Sequence, residues 1–290
     1  MPYTKKYFIN DNLRLWKHHE IIKKIAMLHS APAYLILPLF KNHKMEDQRV
    51  KVAQLLKKSK STMAFTGAGI SVESGVPPFR GEHGLWNKYD PKVLDIDYFH
   101  SNGGRAWLYI REIFYEFFGK AQPNEAHRVL ARMEQAGLLQ ALVTQNIDNL
   151  HQLAGSQNIY EFHGNSNRLV CPECGRISDI SDFNLDHIPP TCPIDDAILK
   201  PDFIFFGEGI PPIAYEKSFE AARNCEVCLI IGSTGEVTPA AYVPQTAKRS
   251  GAVIIEINPE ESLFTHTITD IHLRGKAGEE LGLLEKILFE

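Results

Sequence analysis

The 290-residue sequence lacks the features of several specialised protein classes. Its five cysteines are too few for a disulfide scaffold of this length. No apolar run approaches the roughly 20 residues that a membrane-spanning helix needs, and residues 31–40, the longest such run near the N-terminus, contain two prolines. The net charge of −4 gives no argument for a nucleic-acid surface, and internal repeats are absent. We therefore expect neither a nucleic-acid nor a membrane partner, and the sequence indicates no oligomeric state.

The composition is that of a globular domain, with 44 % hydrophobic and 23 % charged residues. This length allows one large domain with a substantial core, or such a domain with a small inserted module. Three of the cysteines, Cys171, Cys174 and Cys192, stand in a metal-like pattern. Thiols of this kind persist in a reducing compartment, so we expect a cytoplasmic location.

The first 44 residues differ from the rest, because they contain eight Lys or Arg against two acidic residues. A targeting peptide would explain a basic start, but a clean apolar core with a small-residue cleavage site is missing. We predict a helical extension that packs on the domain. The alternative is a misassigned start codon, with Met45 as the first residue. We therefore divide the chain into an N-terminal extension, 1–44, and a main domain, 45–290.

Hydrophobic periodicity predicts helices that alternate with short apolar strands. The predicted helices are 47–59, 105–118 and 124–136, and the predicted strands are 62–66, 139–144, 203–206, 227–231 and 253–257. Asn124 is expected to cap the third helix. This alternation predicts an α/β fold with a parallel, doubly wound sheet, in which ligands bind beyond the carboxyl ends of the strands. Residues 168–199 are polar, proline-rich and cysteine-bearing, which indicates a small inserted module.

The most informative stretch is the loop GAGISVESGVPPFRG at 67–81, directly after the first predicted strand. Small residues let backbone N–H groups approach a pyrophosphate, and the N-terminus of a following helix favours negative charge. Two further motifs follow, TQNIDNLHQLAG at 144–155 and FHG at 162–164. A single histidine is more often structural than catalytic, but an unperturbed pKa of about 6.5 suits His163 to accept a proton at neutral pH. Asp148 likewise has a structural interpretation, as the N-cap of a helix that starts at Asn149.

Taken together and in this order, the motifs resemble those of the sirtuins, the Sir2-type NAD-dependent protein deacylases, from Glu46 to the C-terminus. The resemblance implies a Rossmann-like doubly wound parallel sheet with a small zinc-ribbon-like inserted module. It also implies an NAD-dependent protein-lysine deacylase, most simply a deacetylase, whose partners are acylated-lysine proteins. NAD then serves as a co-substrate: nicotinamide leaves, His163 takes a proton from a ribose hydroxyl, and the product is O-acyl-ADP-ribose.

The resemblance also assigns roles to individual residues. The implied catalytic residues are His163, Asn146, which orients the ribose and a water, and Asp148, which holds the nicotinamide carboxamide. The implied NAD-binding residues are Gly67, Ala68, Gly69, Ser71, Phe79, Arg80, Gln145, Asn146, Ile147, Asp148, Gly232, Ser233, Thr234, Asn258, Glu260 and Ala277. An extended substrate peptide is implied to add as a strand between two edges of the protein. These edges contain Phe206, Gly207 and Glu208 on one side, and Gly235 and Val237 on the other.

A metal site is predicted from the pattern Cys171-x2-Cys174, seventeen residues, then Cys192-x2-Asp195. The spacing is that of a four-cysteine zinc ribbon, and carboxylate oxygen also binds zinc. In the sirtuin pattern a cysteine stands at the position of Asp195. Asp196 is a neighbouring alternative ligand, and a degenerate module without metal is the other interpretation. Cys225 and Cys228 open an apolar strand and are predicted to be structural.

The sequence departs from the sirtuin pattern at other positions too. Pro78 replaces an aspartate, and Ser233-Thr234 reverses the usual order of two hydroxyl residues. Sirtuins that prefer acidic acyl groups carry a Tyr-x-x-Arg pair, and the nearest match here is Arg111-Glu112-Ile113-Phe114. We therefore do not expect a dedicated desuccinylase, although Arg111 would serve in part if it pointed into the acyl channel. The aromatic residues of 105–118 either pack in the core or line that channel.

Two alternative functions stay open. Mono-ADP-ribosyl transfer to protein would share the NAD and the release of nicotinamide, and an NAD-sensing module would keep the fold without the chemistry. A dehydrogenase is disfavoured, because the loop at 67 is not followed by the ribose-binding acid of a simple Gly-x-Gly-x-x-Gly unit.

Overall fold

The computed structural model describes residues 33–79, 84–117 and 120–290, and the chain divides into two compact units at the Gln48–Arg49 boundary. In the first unit, the described residues belong to helix α1, which spans Ala33–Lys58 and continues into the second unit. Among the described residues, none of the helices combines the length and the apolar character needed to cross a membrane.

A six-stranded parallel sheet forms the centre of the second unit, with the strand order β3-β2-β1-β7-β8-β9. Its strands are β1 Thr62–Thr66, β2 Ala141–Thr144, β3 Ile159–Glu161, β7 Val227–Ile231, β8 Val253–Ile257 and β9 Ile271–Leu273. The predicted strands at 62–66, 227–231 and 253–257 are confirmed residue for residue. β1 pairs with both β2 and β7, so the loops after these three strands meet at one edge of the sheet.

Helices cover both faces of this sheet, which confirms the doubly wound α/β fold. On one face, α1 packs with α3 Glu125–Gln135 and α7 Ala277–Phe289 through buried residues such as Leu56, Leu130 and Leu284. On the other face, α5 Pro212–Asn224 and α6 Tyr242–Arg249 pack on the sheet together with Phe264. Two further helices, α2 Ile96–Ile110 and α4 Leu150–Ala154, lie in the connections between strands.

A small antiparallel sheet, of strand order β5-β4-β6, carries the cysteine-bearing segment. Its strands are β4 Gly164–Val170, β5 Ile177–Asp179 and β6 Lys200–Phe203. The predicted strand at 203–206 is therefore wrong, because Phe203 ends β6 and Phe206 makes only an isolated bridge with Asp95. Glu208 explains the interruption, since its carboxylate accepts the backbone N–H of Phe205 at 2.7 Å and removes that donor from any ladder.

The predicted helix at 105–118 is also interrupted. α2 ends at Ile110, and a π-helical turn follows at Arg111–Phe117. A π turn contains more residues than an α turn and so shifts the phase of the helix. Ile110, Ile113 and Phe114 are all buried in a third core, which is rich in aromatic side chains.

The predicted Asn124 cap is confirmed, and it does more than begin α3. The Asn124 side chain accepts the backbone N–H groups of Ala126 and His127, as an N-cap does. Its amide also donates to the carbonyl oxygen of Ile70 at 2.7 Å and to Ser74 Oγ at 3.0 Å. A helix cap therefore fixes the loop that follows β1.

We expect Asn124→Ala to lower the free energy of unfolding by about 2 kcal/mol, because it removes the cap and both contacts to the loop. For a unit of this size, that corresponds to a decrease in Tm of about 4–8 °C. Asp90→Ala is the matched control, since the exposed Asp90 side chain caps only the short 3₁₀ turn Pro91–Leu94. We expect the control to cost about 0.5 kcal/mol. Equal losses in thermal melts would contradict the role of Asn124 in the loop.

Candidate functional site

Two adjoining cavities open at the carboxyl edge of the parallel sheet. We call the larger, of about 370 Å³, the glycine-loop cavity, and the smaller, of about 240 Å³, the aromatic cavity. The predicted NAD-binding or catalytic residues that line the glycine-loop cavity are Gly67, Ala68, Gly69, Phe79, Gln145, Asn146, His163, Gly232, Ser233, Thr234, Asn258 and Glu260. Ile147 lines the aromatic cavity instead. Phe79, Gln145, His163 and Val237 line both.

The glycines at the base of the larger cavity are required by close backbone contact. Gly67 donates its N–H to the carbonyl oxygen of Ile231 at 3.0 Å, and Gly69 donates to that of Gly232 at 2.9 Å. A Cβ added to Gly69 would lie 2.6 Å from Gly232 Cα, a contact that real side chains do not make. Only glycine therefore lets the loops after β1 and β7 touch, and this contact forms the floor of the cavity.

Side-chain amides tie the walls of the glycine-loop cavity together. Gln145 Nε2 donates to Ser233 Oγ at 2.9 Å, and Asn258 Nδ2 donates to the carbonyl oxygen of Ser233 at 3.1 Å. The loops after β2, β7 and β8 thus form one hydrogen-bonded rim. Glu260 is exposed at that rim and lies 3.6 Å from Arg274.

His163 stands where the two cavities meet. Its Nδ1 is 3.1 Å from the carbonyl oxygen of Gln145. A carbonyl oxygen only accepts, so Nδ1 carries the proton and Nε2 is left with a free lone pair. Burial lowers the pKa of His163 below its usual value, and the bond to Gln145 opposes this effect only in part. The imidazole is therefore neutral at pH 7 and can accept a proton at Nε2.

Asp148 and Ser71 lie behind the cavity wall. Neither lines a cavity; Ser71 is fully buried and donates from Oγ to Asp148 Oδ2 at 2.7 Å. Asn146 does line the cavity, and its Nδ2 is 3.2 Å from both Ser71 Oγ and the Gly67 carbonyl oxygen. Burial raises the pKa of Asp148 despite the hydrogen bonds it accepts from Ser71 and Leu150. Helix α4 begins at Leu150, and its N-cap is Asn149 instead of Asp148. Asp148 still accepts a hydrogen bond from the first turn, because the Leu150 N–H donates to its Oδ1 at 3.1 Å.

Sequence reasoning missed two histidines that lie beneath this network. The rings of His127 and His151 are 4.8 Å apart, and His127 Nε2 is 3.5 Å from Ser71 Oγ. Burial lowers the pKa of both, that of His127 to about 4, so both are neutral at pH 7. The signal available was the Asn-x-x-His spacing of 124–127, which forms a capping box in the structure.

The aromatic cavity is lined mainly by large apolar side chains. Phe114 packs against Phe203 with ring centroids 4.8 Å apart, and Trp86, which the sequence did not single out, packs against Phe79 at 5.4 Å. The two interpretations of the aromatic helix both hold in part, because Trp107 is core while Phe114 also lines the cavity. The idea that Arg111 points into this channel is wrong. Its guanidinium pairs with Glu116 at 2.9 Å, and it is not part of the described lining.

The predicted peptide-binding residues lie at the mouth of the aromatic cavity, with one exception. Phe206, Gly207, Glu208 and Val237 line it. Gly235 does not; it faces the ring of Phe264, at a φ of 78°. The Glu208 carboxylate forms a salt bridge with the buried Lys200, whose Nζ lies 3.0 Å away.

The two remaining predicted NAD-binding residues are Arg80 and Ala277. Arg80 lies outside the described residues. Ala277 is buried at the start of α7 and lines neither cavity, whereas the next residue, Gly278, donates its N–H to Glu73 at 2.7 Å. Four lining residues were not predicted from the sequence, namely Val72, Pro259, Glu261 and Ser262. The only sequence signal for them is that they lie next to a motif.

The predicted metal ligands converge in the small module. One ligand atom from each of Cys171, Cys174, Cys192 and Asp195 lies within 4.8 Å of all the others. The Cys174 and Cys192 sulfurs are 3.7 Å apart, and Cys171 Sγ is 3.4 Å from the Asp195 carboxylate. Tetrahedral zinc with Zn–S of ~2.3 Å and Zn–O of ~2.0 Å needs separations of about 3.8 Å and 3.5 Å. The cluster is compatible with zinc binding.

The backbone shows why Asp195, and not Asp196, belongs to this cluster. Two equivalent turns present the ligands: Gly175 donates its N–H to the Cys171 carbonyl oxygen, and Asp196 donates to that of Cys192, both at 3.0 Å. Gly175 and Asp196 occupy the same left-handed position, with φ of 71° and 59°. Asp195 therefore matches Cys174, and Asp196 matches the glycine after it. Cys225 and Cys228 are buried elsewhere, in the core beside the parallel sheet.

Comparison with known proteins gives one consistent result. The model of the Sir2 family matches residues 67–239. An NAD-dependent protein deacylase of Pyrococcus abyssi is 42 % identical over 242 residues, which cover 80 % of this chain and 94 % of that protein. A solved complex of Sir2 with a p53 peptide and NAD+ has a TM-score of 0.76 at 33 % identity, covering 81 % of this chain and 96 % of that one. A Sir2 complex with a deacetylated p53 peptide and 3′-O-acetyl ADP-ribose has a TM-score of 0.76 at 32 % identity, with the same two coverages.

The metal cluster predicts about one equivalent of zinc in the purified protein, as expected of a site with four ligands. Asp195→Cys should slow the loss of zinc to a chelator, because thiolate is the softer donor, and Asp195→Ala should speed it. Asp196→Gly is the matched control: it changes the adjacent carboxylate at a position that glycine also adopts, so zinc retention should not change. Zinc-free protein, or loss of zinc only in the Asp196 variant, would refute the assignment.

Proposed function

The chain belongs to the Sir2 family and is an NAD-dependent protein deacylase, and from this premise we propose that it removes small uncharged acyl groups, most simply acetyl, from protein lysines. Its relatives supply the class of reaction. The proposal adds the roles of individual residues and the nature of the acyl group, which rest on the geometry of the two cavities.

The observation that carries the proposal is the position of His163 between the cavities. A reaction between a dinucleotide and an acyl-lysine needs two sites that meet at the reacting atoms, with a base at their junction. The glycine-loop cavity provides backbone amides and short side chains suited to a dinucleotide. The aromatic cavity provides apolar walls suited to the aliphatic chain of an acyl-lysine. Both reach His163.

The proposed reaction consumes acyl-lysine, NAD and one water, and yields free lysine, nicotinamide and O-acyl-ADP-ribose. The bond from the ribose to nicotinamide breaks, and the acyl oxygen takes its place at the same carbon. His163 accepts the proton of a ribose hydroxyl at Nε2, while the Gln145 carbonyl stabilises the imidazolium through Nδ1–H. The oxygen of that hydroxyl bonds to the acyl carbon, the bond from this carbon to the lysine nitrogen breaks, and addition of the water leaves the acyl group as an ester on the ribose.

Asn146 and Asp148 are proposed to have separate roles, Asn146 at the cavity surface and Asp148 behind it. Asn146 lines the cavity, and its amide is held by Ser71 and the Gly67 carbonyl oxygen, which fixes its orientation towards the ribose and a water. Asp148 holds Ser71 from behind and is proposed to meet the nicotinamide carboxamide once NAD is bound. The residues of the glycine-loop cavity, with Arg80 and Ala277, complete the proposed NAD site.

The substrate peptide is proposed to lie across the mouth of the aromatic cavity, between Phe206–Glu208 and Gly235–Val237. On the side away from the proposed peptide, segment Phe206–Glu208 is hydrogen-bonded to the protein, because the Phe206 N–H donates to the Leu94 carbonyl oxygen at 2.8 Å. Backbone pairing on the other side would supply affinity with little demand on sequence, so we expect broad tolerance of the flanking residues.

Three further expectations stay part of this proposal. Residues 45–290 form the catalytic domain with 168–199 as its inserted module, and 1–44 form an extension; the nearby division at Gln48–Arg49 supports this. Zinc in the four-ligand cluster stabilises the module. The protein acts in the cytoplasm, where the thiols of the cluster stay reduced.

Nicotinamide release should require NAD and acyl-lysine peptide together. His163→Ala should keep most of the affinity for ADP-ribose but lower deacylation at least 100-fold, because the base is lost and no phosphate contact is. Protonated His163 cannot accept a proton, and its pKa is lowered. The acid limb of kcat/KM should therefore fall only below pH 6.5, the usual value for histidine. Turnover of the variant within a few-fold of wild type, or acyl removal without NAD, would exclude this role.

Among the described residues that line the aromatic cavity, none is a cation, and Glu208 is acidic. A succinyl group would therefore bring a carboxylate into apolar surroundings without a partner. We expect kcat/KM for succinyl-lysine to be roughly 100-fold below that for butyryl-lysine, which has the same chain length without the charge. Comparable rates for the two peptides, followed by mass spectrometry, would contradict the proposed acyl preference.

A further inference from the structure

Glu256 is a fully buried carboxylate at the penultimate position of strand β8. Its side chain points to the face of the sheet on which Phe264 packs, and it forms no ion pair with any described cation. A buried charge without a counter-ion is costly unless hydrogen bonds replace the lost water. None of the sequence motifs includes Glu256, and it touches neither cavity directly.

Four hydrogen bonds satisfy the two oxygens of this carboxylate. Oε1 accepts from Ser262 Oγ at 2.5 Å and from Asn258 Nδ2 at 3.0 Å. Oε2 accepts from Thr265 Oγ1 at 2.9 Å and from Thr269 Oγ1 at 2.7 Å. All four donors come from the loop that follows β8, so this loop is wrapped around one carboxylate.

The same contacts keep Glu256 ionised. Burial acts to raise its pKa, but the four donors outweigh this effect, and the pKa lies below its usual value. An ionised carboxylate has lone pairs for all four donors, whereas the nitrogen of a neutral amide in its place only donates, so two of the four hydrogen bonds would have to reverse.

The contacts to Oε1 bracket one wall of the glycine-loop cavity. Residues 258–262 all line that cavity, and Oε1 binds the first and the last of them. Asn258 uses the same amide to reach the Ser233 carbonyl oxygen at 3.1 Å, on the loop after β7. Glu256 thus fixes both ends of a five-residue segment and its distance from the neighbouring wall.

The chemistry of this segment indicates what it binds. Glu260 and Glu261 are carboxylates and Ser262 is a hydroxyl, and all three belong to the cavity wall. Carboxylates repel phosphate but accept hydrogen bonds from sugar hydroxyls. The wall is therefore suited to a ribose of a dinucleotide and not to its phosphates.

We propose that Glu256 is a positioning residue for the cofactor, which holds segment 258–262 in the conformation that receives a ribose of NAD. This inference rests on the proposed binding of NAD in the glycine-loop cavity. Glu256 acts through Asn258 and Ser262 and contributes to dinucleotide affinity without contacting the dinucleotide. Its removal should affect binding of NAD, and not the chemistry at His163 or binding of the acyl peptide.

The test is Glu256→Gln, which keeps the size of the side chain but reverses two of its hydrogen bonds. We expect its Kd for ADP-ribose, measured by calorimetry without peptide, to rise at least 10-fold. The KM for NAD should rise in parallel, while the KM for acetyl-peptide and the kcat at saturating NAD stay within about 3-fold of wild type. Thr269→Val, which removes one donor outside the cavity, should raise the Kd for ADP-ribose about 3-fold.

Glu285→Gln is the matched control, because it breaks the ion pair of Glu285 with Arg132, a contact between α3 and α7 on the outer surface. It should lower Tm without changing the Kd for ADP-ribose. A folded Glu256→Gln protein whose Kd stays within 2-fold of wild type would overturn the inference. If Glu256→Gln did not fold, an unchanged Kd in Thr269→Val would do so. Failure of the wild-type protein to bind ADP-ribose would instead refute the proposed NAD site.

Discussion

Backbone contact between two loops is the constraint on which the site depends. Gly69 donates its N–H to the Gly232 carbonyl oxygen, and a Cβ on Gly232 would lie 2.2 Å from the Ile70 nitrogen. No other residue type fits at this crossing. Because the two loops touch here, the carboxyl ends of β1 and β7 form a closed floor, and the remaining loops are positioned relative to it.

From this floor, hydrogen bonds continue to His163, the proposed base. Asn258 and Gln145 both bind Ser233, and the carbonyl oxygen of Gln145 accepts the Nδ1 proton of His163. One residue, Gln145, therefore contacts both Ser233 in the wall of the glycine-loop cavity and His163, and it lines both cavities. The same network thus determines the tautomer of His163 and the shape of that wall, and the proposed binding of NAD and the proposed proton transfer both depend on it.

Much of this arrangement could be predicted from the sequence, because its causes are local. The strand at 227–231 is a continuous apolar run, and the strand at 253–257 is apolar except for Glu256. The small residues of the first loop predict a close approach of backbones, which Gly67 and Gly69 make. The rest depends on contacts between distant segments. Glu256 lies in an otherwise apolar strand, and its hydrogen-bond donors follow 2 to 13 residues later. The backbone N–H of Phe205 donates to the Glu208 carboxylate instead of to a neighbouring strand. Ser71 lies behind the cavity wall, where it donates to Asp148. Spacing alone does not reveal such contacts.

The central claim is that acyl transfer to ADP-ribose takes place where the two cavities meet at His163. The most direct measurement is mass spectrometry of the products formed from acetyl-lysine peptide, NAD and the purified protein. The account predicts deacetylated peptide, nicotinamide and O-acetyl-ADP-ribose in equal amounts. ADP-ribose attached to the protein or peptide, with the acetyl group still on lysine, would contradict it, and so would free acetate formed without NAD.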